Sequence, residues 1–284
     1  MNSWCQLIRR SVRPLVTLFL ILFAPLASLA QPETGTQTIL SAGTERSYLL
    51  YVPENLGSEP VPLVLNFHGS GGVPENQLAT SGFDAIADRE GFAVAFPAGA
   101  FSNTVSSRSW NANVEPGVDD VQFARDVIAD VSMRMNIDAT RIYATGFSGG
   151  ARMSSRLACE LADVLAAAAP VAGLQYPEGC TLDRAIPILA IHGKADRTNS
   201  YELAENSRPY WRMGVETAVD GWREANGCSN SSQVVGFAEN DELRSWSACD
   251  LTAEIQFYVI EDGGHVWPDW ASESIWSFFE KHSL

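Results

Sequence analysis

The stretch YATGFSGGARM, residues 143–153, places Ser148 among three glycines between an apolar run and a helical pattern. Within it, GFSGG matches the pattern G-x-S-x-G. In this pattern the serine occupies a strained turn between a strand and a helix, and flanking glycines let neighbouring backbone pass without Cβ clashes. The turn lifts the hydroxyl out of the sheet edge and directs the first N–H groups of the helix toward developing negative charge. The stretch predicts that Ser148 is a nucleophile, with the Gly149 N–H as a donor beside it.

The elements on either side of this turn alternate between strand-length apolar runs and helical patterns. Seven strand candidates are found at residues 46–53, 61–67, 91–98, 141–146, 166–173, 186–193 and 254–260. Residues 119–136 repeat apolar side chains at 3- and 4-residue steps, which indicates one buried helical face. Asp119 and Asp120 begin that helix, and we interpret them as N-capping rather than catalytic. Repeated strand-helix-strand order predicts a single α/β domain, residues 31–284, with a mostly parallel sheet and helices on both faces.

Residues 1–30 have the pattern of a secretory signal peptide. Arginines precede an apolar stretch that ends in small residues, with cleavage expected before Gln31. A membrane anchor is the alternative, but the apolar core is short for a span of roughly 20 residues. We therefore predict a secreted or periplasmic protein that does not contact the membrane after cleavage. The route of export, general or twin-arginine, stays open.

The charge balance restricts the partners. The chain has 19 lysines and arginines against 34 aspartates and glutamates, a formal net charge of −15. Such a surface repels nucleic acid and anionic lipid, so we expect neither as a partner. The acidity favours solubility and does not indicate a substrate.

Four cysteines lie outside the predicted signal peptide: Cys159, Cys180, Cys228 and Cys249. An even number in an exported protein indicates disulfides, although four cysteines permit three pairings. We hypothesise that nearest neighbours pair, Cys159 with Cys180 and Cys228 with Cys249. A zinc site is disfavoured because no C-x-x-C pair occurs and no histidine lies within a few residues of a cysteine. We predict no metal and no cofactor.

A serine hydroxyl is a poor nucleophile, so Ser148 needs a base. The chain has four histidines, His68, His192, His265 and His282. His282 lies three residues from the end, and His68 comes early, directly after a buried strand. His265 lies in the glycine-rich EDGGHVWP after the last strand candidate. Since the α/β-hydrolase arrangement orders its triad as serine, acid and histidine, we predict His265 as the base.

The base in turn needs an orienting carboxylate. Asp196, in HGKADRTNSY, follows a strand and lies between Ser148 and His265 in the chain. The alternative for Asp196 is a turn-stabilising role. Glu261 and Asp262 are rivals, but they directly precede the base and read as loop charges. We predict that Asp196 is the acid.

Transition-state negative charge needs two hydrogen-bond donors, and the second comes from the loop after an early strand. The sequence NFHGSGG, residues 66–72, lies at that position. We predict the Ser70 N–H as this donor beside that of Gly149, with Gly71 as the next choice. His68 then braces the loop.

Together these motifs resemble secreted esterases related to polyhydroxybutyrate depolymerases and to feruloyl esterases of carbohydrate esterase family 1. The resemblance rests on HGSGG, SWN, VDDVQFARDVI, IDATRIYATGFSGGARMSSRLACELAD, APVAG, HGKADRTNSY and GGHVWP, in the family's order. It implies an α/β-hydrolase fold and ester hydrolysis through an acyl-enzyme by Ser148, Asp196 and His265. Two departures occur: Ser70 stands where depolymerases often have cysteine, and Ser200-Tyr201 stands where Pro-Tyr often follows the acid.

By analogy with this family, Trp110 and Trp267 are expected to line the cleft and bind substrate. Only nineteen residues follow His265, from which we expect no linker and no module for adsorbing to a solid. This favours a soluble substrate, such as a feruloyl or acetyl ester of a polysaccharide fragment or a short hydroxyalkanoate oligomer. Three alternatives stay open: a polyhydroxybutyrate depolymerase acting on polymer, a prolyl-oligopeptidase-like serine peptidase, and a non-catalytic binding protein. The peptidases usually carry a large gating domain, for which we expect no room.

Overall fold

Strands and helices alternate along the chain as the apolar runs predict. The computed structural model describes residues 33–101, 107–113, 116–238 and 240–284. The predicted signal peptide, residues 1–30, lies outside the described residues. The strands are β1 Gly35–Ser41, β2 Thr44–Tyr51, β3 Val61–Phe67, β4 Ala93–Pro97, β5 Ala100–Phe101, β6 Arg108–Ser109, β7 Ile137–Phe147, β8 Ala167–Val171, β9 Ile188–Gly193, β10 Gln233–Ala238, β11 Asp241–Trp246 and β12 Ile255–Ile260. The helices are α1 Pro74–Ser81, α2 Phe83–Glu90, α3 Asp120–Arg134, α4 Gly149–Glu160, α5 Val215–Ala225 and α6 Ala271–Phe279.

Ten of these strands form one sheet in the order β1-β2-β4-β3-β7-β8-β9-β12-β11-β10. The six central strands, from β4 to β12 in this order, are parallel to one another. Antiparallel strands complete the sheet at both edges. Because the central strands are parallel, the carboxyl ends of β3, β7 and β9 lie at the same edge, where ligand sites form in open α/β sheets.

Helices cover both faces of the sheet because its central strands are apolar on both sides. Every residue of β3, β4, β8 and β9 is buried. The apolar faces of α3, α4 and α5 pack into one core, and those of α2 and α6 pack into a second core on the opposite side. The α/β-hydrolase architecture predicted from the sequence is therefore confirmed.

The pattern of apolar runs missed the edges of the sheet. β1 alternates between exposed and partly buried residues, and all six residues of β10 are exposed. Such strands bury little apolar surface, so they lack the continuous apolar run that marks a central strand. β7 also begins at Ile137, four residues before the predicted strand, and continues to Phe147, one residue beyond its predicted end at Gly146.

The two aspartates at the start of α3 have structural partners. The Asp119 carboxylate accepts the Gln122 N–H at 2.9 Å, which confirms its predicted N-cap role. Asp120 is buried and forms a 2.8 Å ion pair with Arg46. Its other oxygen accepts the Asn111 N–H at 2.7 Å.

Both predicted disulfides are present. Cys159 bonds to Cys180, which ties α4 to the loop after β8, and Cys228 bonds to Cys249. Within the described ranges, no helix combines the length and the apolar character that a membrane crossing requires.

Candidate active site

The turn at Ser148 has the strained geometry that its glycines predict. β7 ends at Phe147, α4 begins at Gly149, and Ser148 between them has φ 55° and ψ −110°. Its N–H donates to the Val171 carbonyl at 2.9 Å, which joins the turn to β8. A Cβ on Gly150 would lie 2.0 Å from the Phe67 carbonyl oxygen, too close for any other residue. The elbow therefore requires glycine where helix and strand backbones meet.

The structure brings the three predicted triad residues together from three loops at the carboxyl edge. His265 Nε2 lies 2.8 Å from Ser148 Oγ, and its Nδ1 lies 2.7 Å from Asp196 Oδ2. The His265 ring also packs on Phe147, with 4.9 Å between ring centroids. These contacts fit a proton on Nδ1 and a free lone pair on Nε2 directed at the serine hydroxyl.

The Asp196 carboxylate is fixed from two directions. Its Oδ1 accepts the N–H groups of Thr198 and Asn199 at 2.7 and 2.9 Å, and its side chain is fully buried. Burial raises the pKa of this carboxyl, but the hydrogen bonds from His192, His265 and the Asn199 N–H outweigh burial and hold the pKa below its usual range. The carboxylate is therefore charged at neutral pH and can stabilise a protonated His265.

His192 is a neighbour of the acid to which the sequence assigned no role. Its Nε2 lies 2.8 Å from the Asn199 carbonyl oxygen and 3.4 Å from Asp196 Oδ2, and its side chain is fully buried. Asn199 also donates its side-chain amide to the Ala172 carbonyl at the end of β8, at 2.7 Å. The signal was available in part, because His192 ends a buried strand four residues before the acid.

The loop after β3 presents the Ser70 N–H near the start of α4. A Cβ built on Gly149 would lie 2.9 Å from Ser70 N and 2.3 Å from Ser70 Oγ. Gly71, the other predicted donor, gives its N–H to the Arg108 carbonyl at 2.8 Å, whereas no acceptor is found for the Ser70 N–H in the described part of the chain. Of the two candidates for the second donor, Ser70 and Gly71, Ser70 is the one whose N–H stays available.

His68 occupies a bracing position in the same loop, as predicted. Its Nδ1 lies 2.8 Å from the Gly69 carbonyl oxygen, and its Nε2 accepts the Gly99 N–H at 3.0 Å. The ring is 1% exposed, and burial lowers the pKa of the imidazole. A neutral ring with its proton on Nδ1 satisfies both contacts.

The two tryptophans that we expected in the cleft lie in the core. Trp110 is 8% exposed and donates its indole N–H to the His68 carbonyl at 2.7 Å. Trp267 is 9% exposed and donates to Ser272 Oγ at 3.0 Å, within the opposite core. Each ring is held by apolar packing and by a partner for its N–H. Both rings are core residues, and the contact with substrate that we expected of them stays a prediction.

A cavity of about 640 Å³ opens beside the segment that follows β8. Its walls are Ala112, Asn113, Gln175, Tyr176, Pro177, Glu178, Gly179, Arg212 and Met213. The triad residues do not line it. Asn113 and Gln175 each donate a side-chain amide to the Tyr210 carbonyl oxygen, at 3.1 and 3.2 Å.

The arrangement has the parts that acyl transfer needs. A hydroxyl is hydrogen-bonded to an imidazole, the imidazole is hydrogen-bonded to a buried carboxylate, and the Ser70 backbone lies against Gly149, the residue that follows the hydroxyl.

Comparison with known proteins gives consistent results. The sequence profile of the family described as esterase PHB depolymerase matches residues 46–243. The chain is 32% identical over 240 residues to feruloyl esterase B of Piromyces equi, covering 80% of this chain and 43% of that protein. It is 27% identical over 247 residues to a bifunctional acetylxylan esterase/xylanase of Neocallimastix patriciarum, covering 85% of this chain and 34% of that protein. The chain thus spans less than half the length of these two relatives.

A solved structure, the acetyl xylan esterase from Aspergillus awamori, superposes with a TM-score of 0.65 at 17% sequence identity. The superposition covers 87% of this chain and 99% of that one. At this identity the likeness confirms the fold.

Proposed function

The chain belongs to the esterase family of polyhydroxybutyrate depolymerases, and we propose that it is a serine carboxylic-ester hydrolase that works through an acyl-enzyme. The observation that carries the proposal is the continuous hydrogen-bonded path from Ser148 Oγ through His265 to Asp196, with distances of 2.8 and 2.7 Å. In this proposal Ser148 is the nucleophile, His265 the general base and Asp196 the orienting acid.

Each step follows from the positions of these groups. Ser148 Oγ attacks the ester carbonyl carbon while His265 Nε2 takes its proton, and the carbonyl oxygen becomes an oxyanion held by the N–H groups of Ser70 and Gly149. The intermediate collapses as the alcohol oxygen leaves with the proton from His265. Water then gives a proton to the same nitrogen and attacks the acyl-enzyme, and collapse returns that proton to Ser148 and releases the acid. Asp196 stays ionised and stabilises the imidazolium.

We propose soluble feruloyl or acetyl esters of polysaccharide fragments, or short hydroxyalkanoate esters, as the substrates. The relatives named feruloyl esterase and acetylxylan esterase support this class. Polymeric polyhydroxybutyrate is the alternative, supported by the family description. Trp110 and Trp267 are buried, so they give no reason to prefer an aromatic acyl group within this class.

We place the enzyme outside the cytoplasm, secreted or periplasmic. The two disulfides support this, because such bonds persist in oxidising compartments. Cleavage of residues 1–30 as a signal peptide stays a prediction, tested by N-terminal sequencing of the exported protein.

The nucleophile is tested by labelling with a fluorophosphonate and by turnover of p-nitrophenyl esters. Ser148→Ala should lose the label and at least about 10³-fold in kcat, since the triad acts as a unit. Ser154→Ala is the matched control: Ser154 lies in α4, the helix that follows the elbow, and its hydroxyl donates to the Ala151 carbonyl. Labelling of another serine, or an active Ser148→Ala protein, would refute the assignment. A chromogenic peptide in the same assay tests the peptidase alternative.

The substrate class is tested by kcat/KM for methyl ferulate, an acetylated xylo-oligosaccharide and a hydroxybutyrate oligomer, beside clearing of a polyhydroxybutyrate suspension. We expect turnover of soluble esters and slow clearing. Rapid clearing without turnover of soluble esters would establish the polymer as the substrate.

A further inference from the structure

Arg152, in the first turns of α4, is a buried cation for which no carboxylate partner is found in the described part of the chain. The residue is 8% exposed, and no hydrogen-bond partner for its Nε is found among the described residues. Its guanidinium lies 4.2 Å from the centroid of the Tyr210 ring, and its Nη2 lies 3.4 Å from Ser70 Oγ. A stacked ring and a hydroxyl hold the guanidinium in place, but neither neutralises its charge.

The other buried arginines of this protein are neutralised. Arg46 pairs with Asp120 at 2.8 Å. Arg156, one turn after Arg152 on the same helix, is 7% exposed and pairs with Glu160 at 2.6 Å. An arginine keeps its charge at neutral pH, and a buried charge without a partner is costly. Burial lowers the pKa of the Arg152 guanidinium, which is the sign of that cost.

The unpaired charge lies beside the proposed oxyanion hole. Arg152 contacts Ser70, whose N–H has no acceptor in the described part of the chain and whose nitrogen would lie 2.9 Å from a Cβ built on Gly149. The backbone of Tyr210, whose ring stacks on Arg152, is fixed by the side-chain amides of Asn113 and Gln175. The guanidinium is therefore held next to the place where negative charge develops.

We propose that Arg152 is a positioning residue for the oxyanion hole, whose charge lies beside Ser70 and is balanced only when the ester carbonyl oxygen becomes negative. The proposal rests on the proposed function. The bound ester is neutral at this oxygen and the tetrahedral intermediate is not, so the charge stabilises the transition state more than the ground state. An uncompensated cation is then an advantage at this position, whereas a carboxylate partner would cancel it.

The test compares Arg152→Lys with Arg152→Met, two unbranched side chains of similar length that differ in charge. On the neutral ester p-nitrophenyl butyrate, Arg152→Met should lower kcat by about 10- to 100-fold with little change in KM, and Arg152→Lys should recover most of the loss. The affinity for a trifluoromethyl ketone, which binds serine hydrolases as an oxyanion, should fall by the same factor as kcat/KM. Arg156→Met is the matched control. It should lower the melting temperature, because Glu160 loses its partner, and leave kcat nearly unchanged.

Three results would overturn the proposal. Equal losses in the Lys and Met variants would show that the shape of the side chain matters and its charge does not. A loss confined to KM for the anionic p-nitrophenyl hemisuccinate, absent with the neutral butyrate, would make Arg152 a binding site for a substrate carboxylate. Unchanged kinetics in Arg152→Met, with Ser148 labelled as in the wild type, would remove the inference and leave the proposed function intact. Failure of Ser148 to be labelled in the wild type would instead refute the proposed function.

Discussion

The same dipeptide, His-Gly, occurs at the carboxyl ends of two strands at one edge of the sheet: His68-Gly69 directly follows β3, and His192-Gly193 ends β9. The two rings, His68 and His192, are each 1% exposed. His68 contacts backbone atoms with both nitrogens, so it fixes the path of a loop and with it the Ser70 N–H. His192 contacts backbone with one nitrogen and lies 3.4 Å from the Asp196 carboxylate. The region after β3 thus supplies a backbone N–H donor, that of Ser70, and the region after β9 supplies a fixed side chain, the Asp196 carboxylate.

The neighbours of the two strand ends explain the difference. At the end of β3, Gly99 lies so close to the imidazole that a Cβ on Gly99 would be 3.2 Å from His68 Cε1. At the end of β9, a Cβ on Gly193 would lie 2.0 Å from the Gly263 carbonyl oxygen, in the loop that carries His265. The β9 end is thus packed against the loop of the base. Identical local sequence acquires different roles because different segments approach it.

The largest effect is expected in the β9 region, from Asp196→Asn. The amide cannot stabilise the imidazolium and favours the wrong tautomer of His265, so kcat should fall about 10⁴-fold. Steady-state turnover of p-nitrophenyl acetate measures the loss, with circular dichroism to show that the variant is folded. A loss of kcat below tenfold would mean that the β9 region does not supply the carboxylate that orients and stabilises His265.

The next effect is expected in the β3 region, from Gly149→Ala. The added Cβ would lie 2.9 Å from Ser70 N, so it should displace the donor loop and lower kcat about 10²- to 10³-fold. Gly264→Ala is the control from the other region, because its Cβ would meet no atom within 4 Å. It should keep activity close to that of the wild type. Full activity of Gly149→Ala would show that the Ser70 N–H is not the donor.

A smaller effect is expected from His68→Ala, which leaves the Gly99 N–H buried without its acceptor. The free energy of unfolding should fall by about 1–3 kcal/mol, and kcat by about tenfold as the Ser70 loop loosens. Denaturant titration and steady-state kinetics measure the two quantities. A stability loss with no change in kcat would separate His68 from the donor loop.

The smallest effect is the pH dependence of stability, which should differ between the two regions. The folded-state pKa of His68 is lowered, so the unfolded chain takes up a proton first, and this contribution to stability is lost as pH falls below about 6.5. The folded-state pKa of Asp196 is also lowered, so its contribution is present at neutral pH and is lost as pH falls below about 4. The melting temperatures of the wild type, His68→Gln and Asp196→Asn should be measured from pH 8 to 3. The loss of stability below about pH 6.5 should be absent from His68→Gln, and the loss below about pH 4 should be absent from Asp196→Asn. The same profile in all three proteins would contradict both assignments.

Much of the site could be predicted because its requirements are local. The elbow needs glycines at fixed distances from the serine, and the order of serine, acid and histidine follows from the order of strands that end at one edge. Ser148, Asp196 and His265 could therefore be chosen from the sequence, and the structure places them in contact. The edge strands β1 and β10 could not be predicted from the sequence, because a strand that buries little surface has no continuous apolar run.

The sequence by itself determined the α/β architecture, the elbow, the order of the triad and the nearest-neighbour disulfides, since each depends on spacing along the chain. Only the tertiary structure decided that Trp110 and Trp267 are core residues and that His192 lies against Asp196. It also decided that Arg156 is paired with a carboxylate, whereas buried Arg152 has no carboxylate partner among the residues that the structure describes. These facts depend on which distant segments of the chain come into contact. The residues next to a side chain in the sequence do not indicate those contacts. Burial and charge pairing are properties of the packed chain.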